Sequence, residues 1–403
     1  MSEAKQRMST RLSRIQPSAT VAVAQRARAL REAGVDVLSF SVGEPDFETP
    51  ENIREAAKAA IDKGAGRYTN VSGIDELRAA ILEDSAKRRG GVRHEMGEVI
   101  VSVGAKHSLY NIAMALFEEG GEVIIPAPYW VSYPAQVKVC GATPVIVAAE
   151  EKDGFKLSAD ALRAALSAKT KALILCTPSN PTGAAYSEAE LGALAAVLRE
   201  HDCWIILDEI YAQLVYGDFE QHSLLSVAPD LKDRIVVVDG VSKAYAMTGW
   251  RIGWCLAPAT LVKACTKLQS QSTTNPAAVA QHAAVEALRG PQDAVGAMRS
   301  AFETRRALVV EGLNAIDGIS CRQPEGAFYA FASVQGLIGK RHEGGVLDND
   351  LQVVTYLLEE ARCAFVPGSA FGAPGYMRMS YAASEEDLRE GLRRVQEAVS
   401  KLG

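Results

Sequence analysis

No apolar run in the sequence approaches the ~18 residues that a membrane-crossing helix needs. The polar, charged N-terminus lacks the apolar core of a secretory leader. Cys-x-x-Cys pairs are absent. The seven cysteines are dispersed through apolar runs, the usage of reduced core residues in a cytoplasmic protein. Without a G-x-G-x-x-G turn the dinucleotide-binding reading fails, and Gly240–Lys243 is not the GxxxxGK[ST] of a nucleotide-binding loop. No internal repeat, low-complexity segment or metal-binding pattern stands out. Basic residues number 43 against 49 acidic ones, and the net charge of −6 argues against nucleic acid as the main partner. What remains is a soluble chain of 403 residues, long enough for two or three domains, with an ordinary 48% hydrophobic content.

The most informative stretch runs from Gly240 to Trp254. It follows Ile235-Val236-Val237-Val238, a short β-branched run that reads as a buried strand. Lys243 therefore falls just past a strand's carboxyl end, where open α/β sheets place their ligands. A lysine desolvated there, with Arg251 eight residues on, has its pKa lowered and can attack a carbonyl. The plain alternative is a solvated loop lysine. Two more strand ends carry polar groups. Lys171–Cys176 runs into Ser179-Asn180-Pro181-Thr182-Gly183, and Trp204–Leu207 runs into Asp208-Glu209-Ile210-Tyr211. A carboxylate ending a buried strand is costly without a cationic partner, which argues that Asp208 has a function. Asn180, Asp208 and Lys243 at successive strand ends, with helices between, predict a mostly parallel, doubly wound sheet.

Around these lie further signals. Val99–Val103, Gly104 and Ala105-Lys106-His107 read as strand, turn and helix start, whose free N–H groups form an anion site. Thr49 is a candidate N-cap, with Pro50 and Glu51 opening a helix. Ser187 and Glu190 form a capping box for another. From Ala259 helices dominate, and Gly290-Pro291 followed by an Arg-rich helix from Arg299 suggests a change of domain.

Ser242-Lys243-Ala244-Tyr245 with Gly249-Trp250-Arg251-Ile252-Gly253 resembles the lysine segment of the pyridoxal-phosphate-dependent aspartate aminotransferase family of fold type I. The likeness extends from Pro17-Ser18-Ala19-Thr20 to Met377-Arg378-Met379-Ser380-Tyr381 and is strongest to a bacterial aspartate/prephenate branch. It implies an α/β fold: a large domain with a mostly parallel seven-stranded doubly wound sheet, and a smaller α+β domain. The expected division is an arm and part of the small domain over residues 1–48, the large cofactor domain over 49–290 and the small domain over 291–403.

The resemblance also assigns roles. Lys243 makes the imine link to pyridoxal 5'-phosphate and moves the substrate's proton. Asp208 holds the pyridine nitrogen protonated, Tyr211 and Asn180 bond the cofactor's 3-oxygen, and Trp130 stacks on the ring. Gly104, Ala105, Lys106, Ser242 and Arg251 receive the phosphate. Tyr68 reaches it from the neighbouring subunit, which implies a homodimer with shared active sites. Another branch has a serine where this chain has Gly240, so Ser242 and the Gly104 turn carry more of the phosphate binding.

For the substrate, Arg378 and Gly43 take the α-carboxylate, beside Asn180 and Trp130. Lys106, aided by Thr20 and Ser270, takes a distal carboxylate. The implied reaction passes the amino group of L-aspartate to 2-oxoglutarate in a ping-pong cycle. Prephenate or aromatic amino acids are the second choice, because Gln16 stands where prephenate-accepting members tend to carry lysine. A lyase using the same cofactor is a further alternative. A transcription regulator's sensing domain is disfavoured, because only about forty residues precede the Gly43 loop, fewer than a usual domain.

Overall fold

A computed structural model describes residues 8–17 and 19–403, the side chains of residues 19–21 excepted. Its centre is a seven-stranded sheet in the order Val99–Val103, Ile252–Leu256, Ile235–Gly240, Trp204–Asp208, Thr170–Cys176, Glu122–Ala127, Thr143–Ala148. Only Ile252–Leu256 runs antiparallel to its neighbours. The central strands read as near-continuous apolar runs because helices cover both faces. Alternate residues confirm this: Leu173, Ile205 and Val237 face one core, while Ile174, Ile206 and Val238 face the other.

Register brings the functional ends together. Cys176 pairs with Asp208 and Asp208 with Val238, so these parallel strands finish level along one edge. At that same edge Val103 pairs with Ile252 and Gly240 with Gly253, which adds the Gly104 turn and Arg251.

A second core gathers around a four-stranded antiparallel sheet of Val366–Pro367, Tyr376–Ser380, Tyr329–Ser333 and Ser320–Cys321. The helices Asp293–Asn314, Asp350–Glu360 and Glu385–Val399 pack on it. Leu38–Ser39 pairs in parallel with Cys363–Ala364, so the segment leading to Gly43 is tied to the C-terminal part of the chain. Among the described residues no helix is long and apolar enough to cross a membrane.

Three local expectations shift. The helix after Thr49 is Glu51–Asp62 with Pro50 at the N-cap; the Thr49 hydroxyl instead donates to the Ala246 carbonyl (2.7 Å) and accepts from Trp250 Nε1 (3.0 Å). Tertiary partners outcompeted the local cap. Ile61, which recurs with Ile53, Ala56, Ala57 and Ala60 at the helical spacing of an apolar face, is nonetheless 61% exposed. The Arg-rich helix starts at Asp293, ahead of Arg299, because Val295 and Met298 are also buried.

Candidate active site

The level strand ends open into a cavity of about 680 Å³ between the large sheet and the second core. Its walls include Gly43, Ala105, Lys106, Trp130, Asn180, Asp208, Tyr211, Ser242, Lys243, Arg251 and Arg378, residues that the chain spreads over more than three hundred positions.

Lys243 sits three residues past the Ile235–Gly240 strand and donates to the Gly43 carbonyl at 2.6 Å. Burial lowers its pKa to about 8; Arg378 and Arg251 act in the same direction, against Glu44 and Asp208. The neutral fraction near neutral pH is thus far larger than that of an ordinary lysine, as a nucleophilic amine requires.

Asp208, the last residue of its strand, is pushed up to about 6 by burial. The nearby Asp239 and Glu209 add to the rise. Opposing them are a 2.6 Å hydrogen bond from the Tyr133 hydroxyl to Oδ2 and the Ile210 N–H at 3.3 Å from Oδ1. These two donors, rather than a cation, hold Asp208 among the described residues. A protonated ligand nitrogen would complete the pair.

Arg378 emerges from the middle of the Tyr376–Ser380 strand, 2% exposed. Nη1 donates to Asn180 Oδ1 (2.8 Å) and Nη2 to the Ser41 carbonyl (2.6 Å), while its plane lies 4.5 Å from the Tyr329 ring centroid. Its Nε is buried with no partner among the described residues. A buried guanidinium with unused donor capacity is a carboxylate site. The Arg378 bond takes one lone pair of the Asn180 oxygen and leaves the amide nitrogen to donate elsewhere.

The anion-binding end is built from backbone. Gly104 has φ of 82° and caps the Ala105–Leu116 helix without a side-chain bond. The His107 N–H turns back to the Gly104 carbonyl at 2.9 Å, and the N–H groups of Ala105 and Lys106 have no partner among the described residues. Arg251, itself left-handed at φ 59°, donates to the Thr248 carbonyl at 2.8 Å. A Cβ on Gly104 would lie 2.4 Å from its guanidinium. Gly240 also has a steric reason: a Cβ there would come within 2.9 Å of Gly253 Cα and the Ile252 carbonyl. The strand contact leaves no space for a serine.

Trp130 packs edge-on against Tyr133, and Lys106 holds its ammonium 4.7 Å from the Trp130 ring centroid. Partial burial and then Arg251 lower the Lys106 pKa. Tyr211 shares a 2.8 Å hydrogen bond with Tyr329, and burial holds its hydroxyl well above the usual phenol range.

Not every expected residue is in this group. Tyr68 stands 88% exposed, away from the cavity walls. Ser270 ends the Ala259–Ser270 helix and donates back to the Lys267 carbonyl at 2.7 Å. The Thr20 side chain lies outside the described residues. Conversely, Tyr133, Tyr329 and Glu44 belong to the site unannounced. Tyr133 could have been suspected from its place three residues after Trp130. Tyr329 looks in the sequence like any residue of an apolar strand.

Fold and site together define an enzyme class that activates amino groups at the strand ends of a doubly wound sheet. The model of the aminotransferase class I and II family matches residues 35–395, and the chain belongs to that family. It is 49% identical over 391 residues to the aspartate/prephenate aminotransferase of Cereibacter sphaeroides, covering 96% of this chain and 98% of that one. The aspartate aminotransferase of Rhizobium meliloti has a crystal structure that superposes with a TM-score of 0.95 at 44% identity, covering 98% of this chain and 100% of that one. The aspartate aminotransferase of Thermus thermophilus with maleate gives 0.90 at 41%, covering 97% and 99%. The protein is therefore an aminotransferase, acting on amino acids and 2-oxo acids.

Proposed function

We propose that the chain is an aspartate aminotransferase using pyridoxal 5'-phosphate, with 2-oxoglutarate as the acceptor. The observation that carries this is one cavity holding a lysine of lowered pKa together with, among the described residues, a buried carboxylate that makes no salt bridge and an arginine with an unpartnered Nε. The residues fit the cofactor on several counts. The bare Gly104 helix start and Arg251 suit its phosphate, Asp208 its pyridine nitrogen, and Asn180 with Tyr211 its 3-oxygen. When bound, the cofactor supplies an electron sink for charge developing at the substrate's α-carbon.

The chain's own residues do the rest. Arg378 fixes the α-carboxylate, aided by the Gly43 backbone, and so sets which α-substituent faces Lys243. Lys243, released from its bond to the Gly43 carbonyl, takes the proton from the α-carbon and returns it as general base and acid. Asp208, held by Tyr133, stays anionic against a protonated nitrogen. Trp130 excludes water from one face.

Lys106 is our choice for the distal carboxylate, with Thr20 and Ser270 as its aids. An ammonium resting over Trp130 without a carboxylate partner among the described residues supports this. The Thermus relative solved with maleate, a four-carbon dicarboxylate, adds weight. Prephenate is the second reading, favoured by the name of the Cereibacter relative. We further propose a cytoplasmic homodimer in which Tyr68 serves the other subunit's phosphate site. Its 88% exposure suits a surface that a partner covers. The division at residues 48 and 290 belongs to the same proposal, supported by the two separate cores.

The test is to incubate the purified holoprotein with aspartate and 2-oxoglutarate, then with prephenate as acceptor. Glutamate formation from the first pair is expected. Ammonia or carbon dioxide without glutamate would replace the proposal with a lyase. Borohydride reduction should fix a pyridoxyl group on Lys243, and a colourless protein after reconstitution would end the cofactor assignment.

A further inference from the structure

Behind Asp208, on the side away from the cavity, lies a charged cluster that the proposed chemistry does not use. Arg89, the residue after the Asp75–Arg88 helix, is 1% exposed. Its Nε donates to Glu209 Oε2 at 2.7 Å and its Nη2 to Asp239 Oδ2 at 2.8 Å. Arg88 donates to the same Asp239 oxygen at 2.7 Å and also pairs with Asp84. Ser223 donates to the other Glu209 oxygen. Glu209 directly follows Asp208, and its N–H bonds the Val238 carbonyl at 2.9 Å. Asp239 directly precedes Gly240, whose N–H it accepts at 2.8 Å.

One guanidinium therefore clamps the ends of two adjacent strands, the one that delivers Asp208 and the one that leads to Lys243. We propose that Arg89 is a positioning residue of the active site: by bridging Glu209 and Asp239 it fixes the two strand ends and compensates the two carboxylates flanking Asp208. The inference rests on the cofactor reading above.

The groups around Asp208 make the electrostatic half explicit. Tyr133 and Cys176 face it from the Ser132–Val139 helix and the Thr170–Cys176 strand, and both are held neutral by burial. Asp239 and Glu209 are the anions that push Asp208 towards protonation. Near the cluster, Tyr245 is neutral, and buried His94 has a pKa lowered to about 4, so it too is uncharged at neutral pH. Arg88 and Arg89 are thus the cations that offset the pair.

The readout is the pH at which the absorbance of the lysine-bound cofactor titrates, measured on holoprotein beside cofactor Kd. Arg89→Met removes positive charge and loosens the acid's grip on the ring nitrogen, so that pH should rise by ~0.5 unit or more, with Kd at least ~3-fold weaker. Glu209→Gln, nearly isosteric, able to accept from Arg89 through its oxygen and to donate its NH2 to the Ser223 hydroxyl, should move it the opposite way. A purely structural cluster would not give shifts of opposite sign. The inference is overturned if Glu209→Gln titrates like the wild type or shifts upward, or if a folded Arg89→Met does not shift. Should Arg89→Met fail to fold, Glu209→Gln alone decides. A wild type that binds no pyridoxal phosphate refutes the cofactor reading instead.

Discussion

Asp208 and Lys243 are both held in the form that suits chemistry rather than stability. An aspartate ordinarily near 3.8 that titrates at about 6 in the fold destabilises the native state once it ionises. Below about pH 4 the folded and unfolded chains both carry the proton, so there is no effect. Between the two values the folded chain keeps a proton that the unfolded chain has lost, and stability falls as pH rises. Asp208→Asn should therefore raise the Tm of the cofactor-free protein at pH 8 by a few degrees and leave it unchanged near pH 3.5, while abolishing turnover. Calorimetry at the two pH values checks this; equal Tm values at pH 8 would contradict the assigned burial cost. Lys106 gives the complementary specificity test. Losing a charge-assisted contact of ~1.5–3 kcal/mol should lower kcat/KM for aspartate ~10- to 100-fold in Lys106→Ala. Alanine, with no distal carboxylate, should lose little, and a uniform loss for both substrates would place the distal site elsewhere.

The strands of the central sheet were legible because their apolar pattern is continuous, β-branched throughout in Ile235–Val238. The strand-like run Ile252–Leu256, which begins right after Arg251 in the sequence, is a strand over that whole span, and Ile235–Gly240 extends the expected run by two residues. The Ser187–Glu190 capping box was also readable, since both halves of the motif lie within four residues. Thr49 was misread because its hydroxyl is engaged by Ala246 and Trp250, about two hundred positions away, and no local pattern records that. The glycines at the sheet edge likewise acquire their meaning from packing. A Cβ on Gly253 would sit 2.2 Å from the Ala105 nitrogen, at the helix start proposed to hold phosphate. Gly253→Ala should destabilise by ~1–3 kcal/mol or more and weaken cofactor binding disproportionately. Gly249→Ala, with open space around it, is the control that should leave both nearly unchanged.

At the scale of the whole molecule, the proposed dimer accounts for residues the single chain leaves outside. Light scattering should give twice the 43.1 kDa chain mass. Tyr68→Phe should weaken pyridoxal phosphate binding without changing the Tm of the cofactor-free protein by more than ~1 °C, because an exposed hydroxyl contributes little to the fold. A monomer with full activity would refute the shared site.

What the sequence determined on its own was the set of chemical groups at strand ends: Asn180, Asp208 and Lys243, each announced by the buried run before it and sharing a place in an α/β sheet. Local periodicity and motif spacing encode such things, because they depend on neighbours along the chain. Only the folded molecule decided how those groups are tuned. That Tyr133 rather than a cation holds Asp208, that Arg378 spends two donors on Asn180 and Ser41 and keeps Nε free, and that Arg89 ties two strand ends together all follow from register and burial. Hydrogen bonds and charges act over a few ångströms of space, and the partners here are separated by as many as 337 positions of sequence.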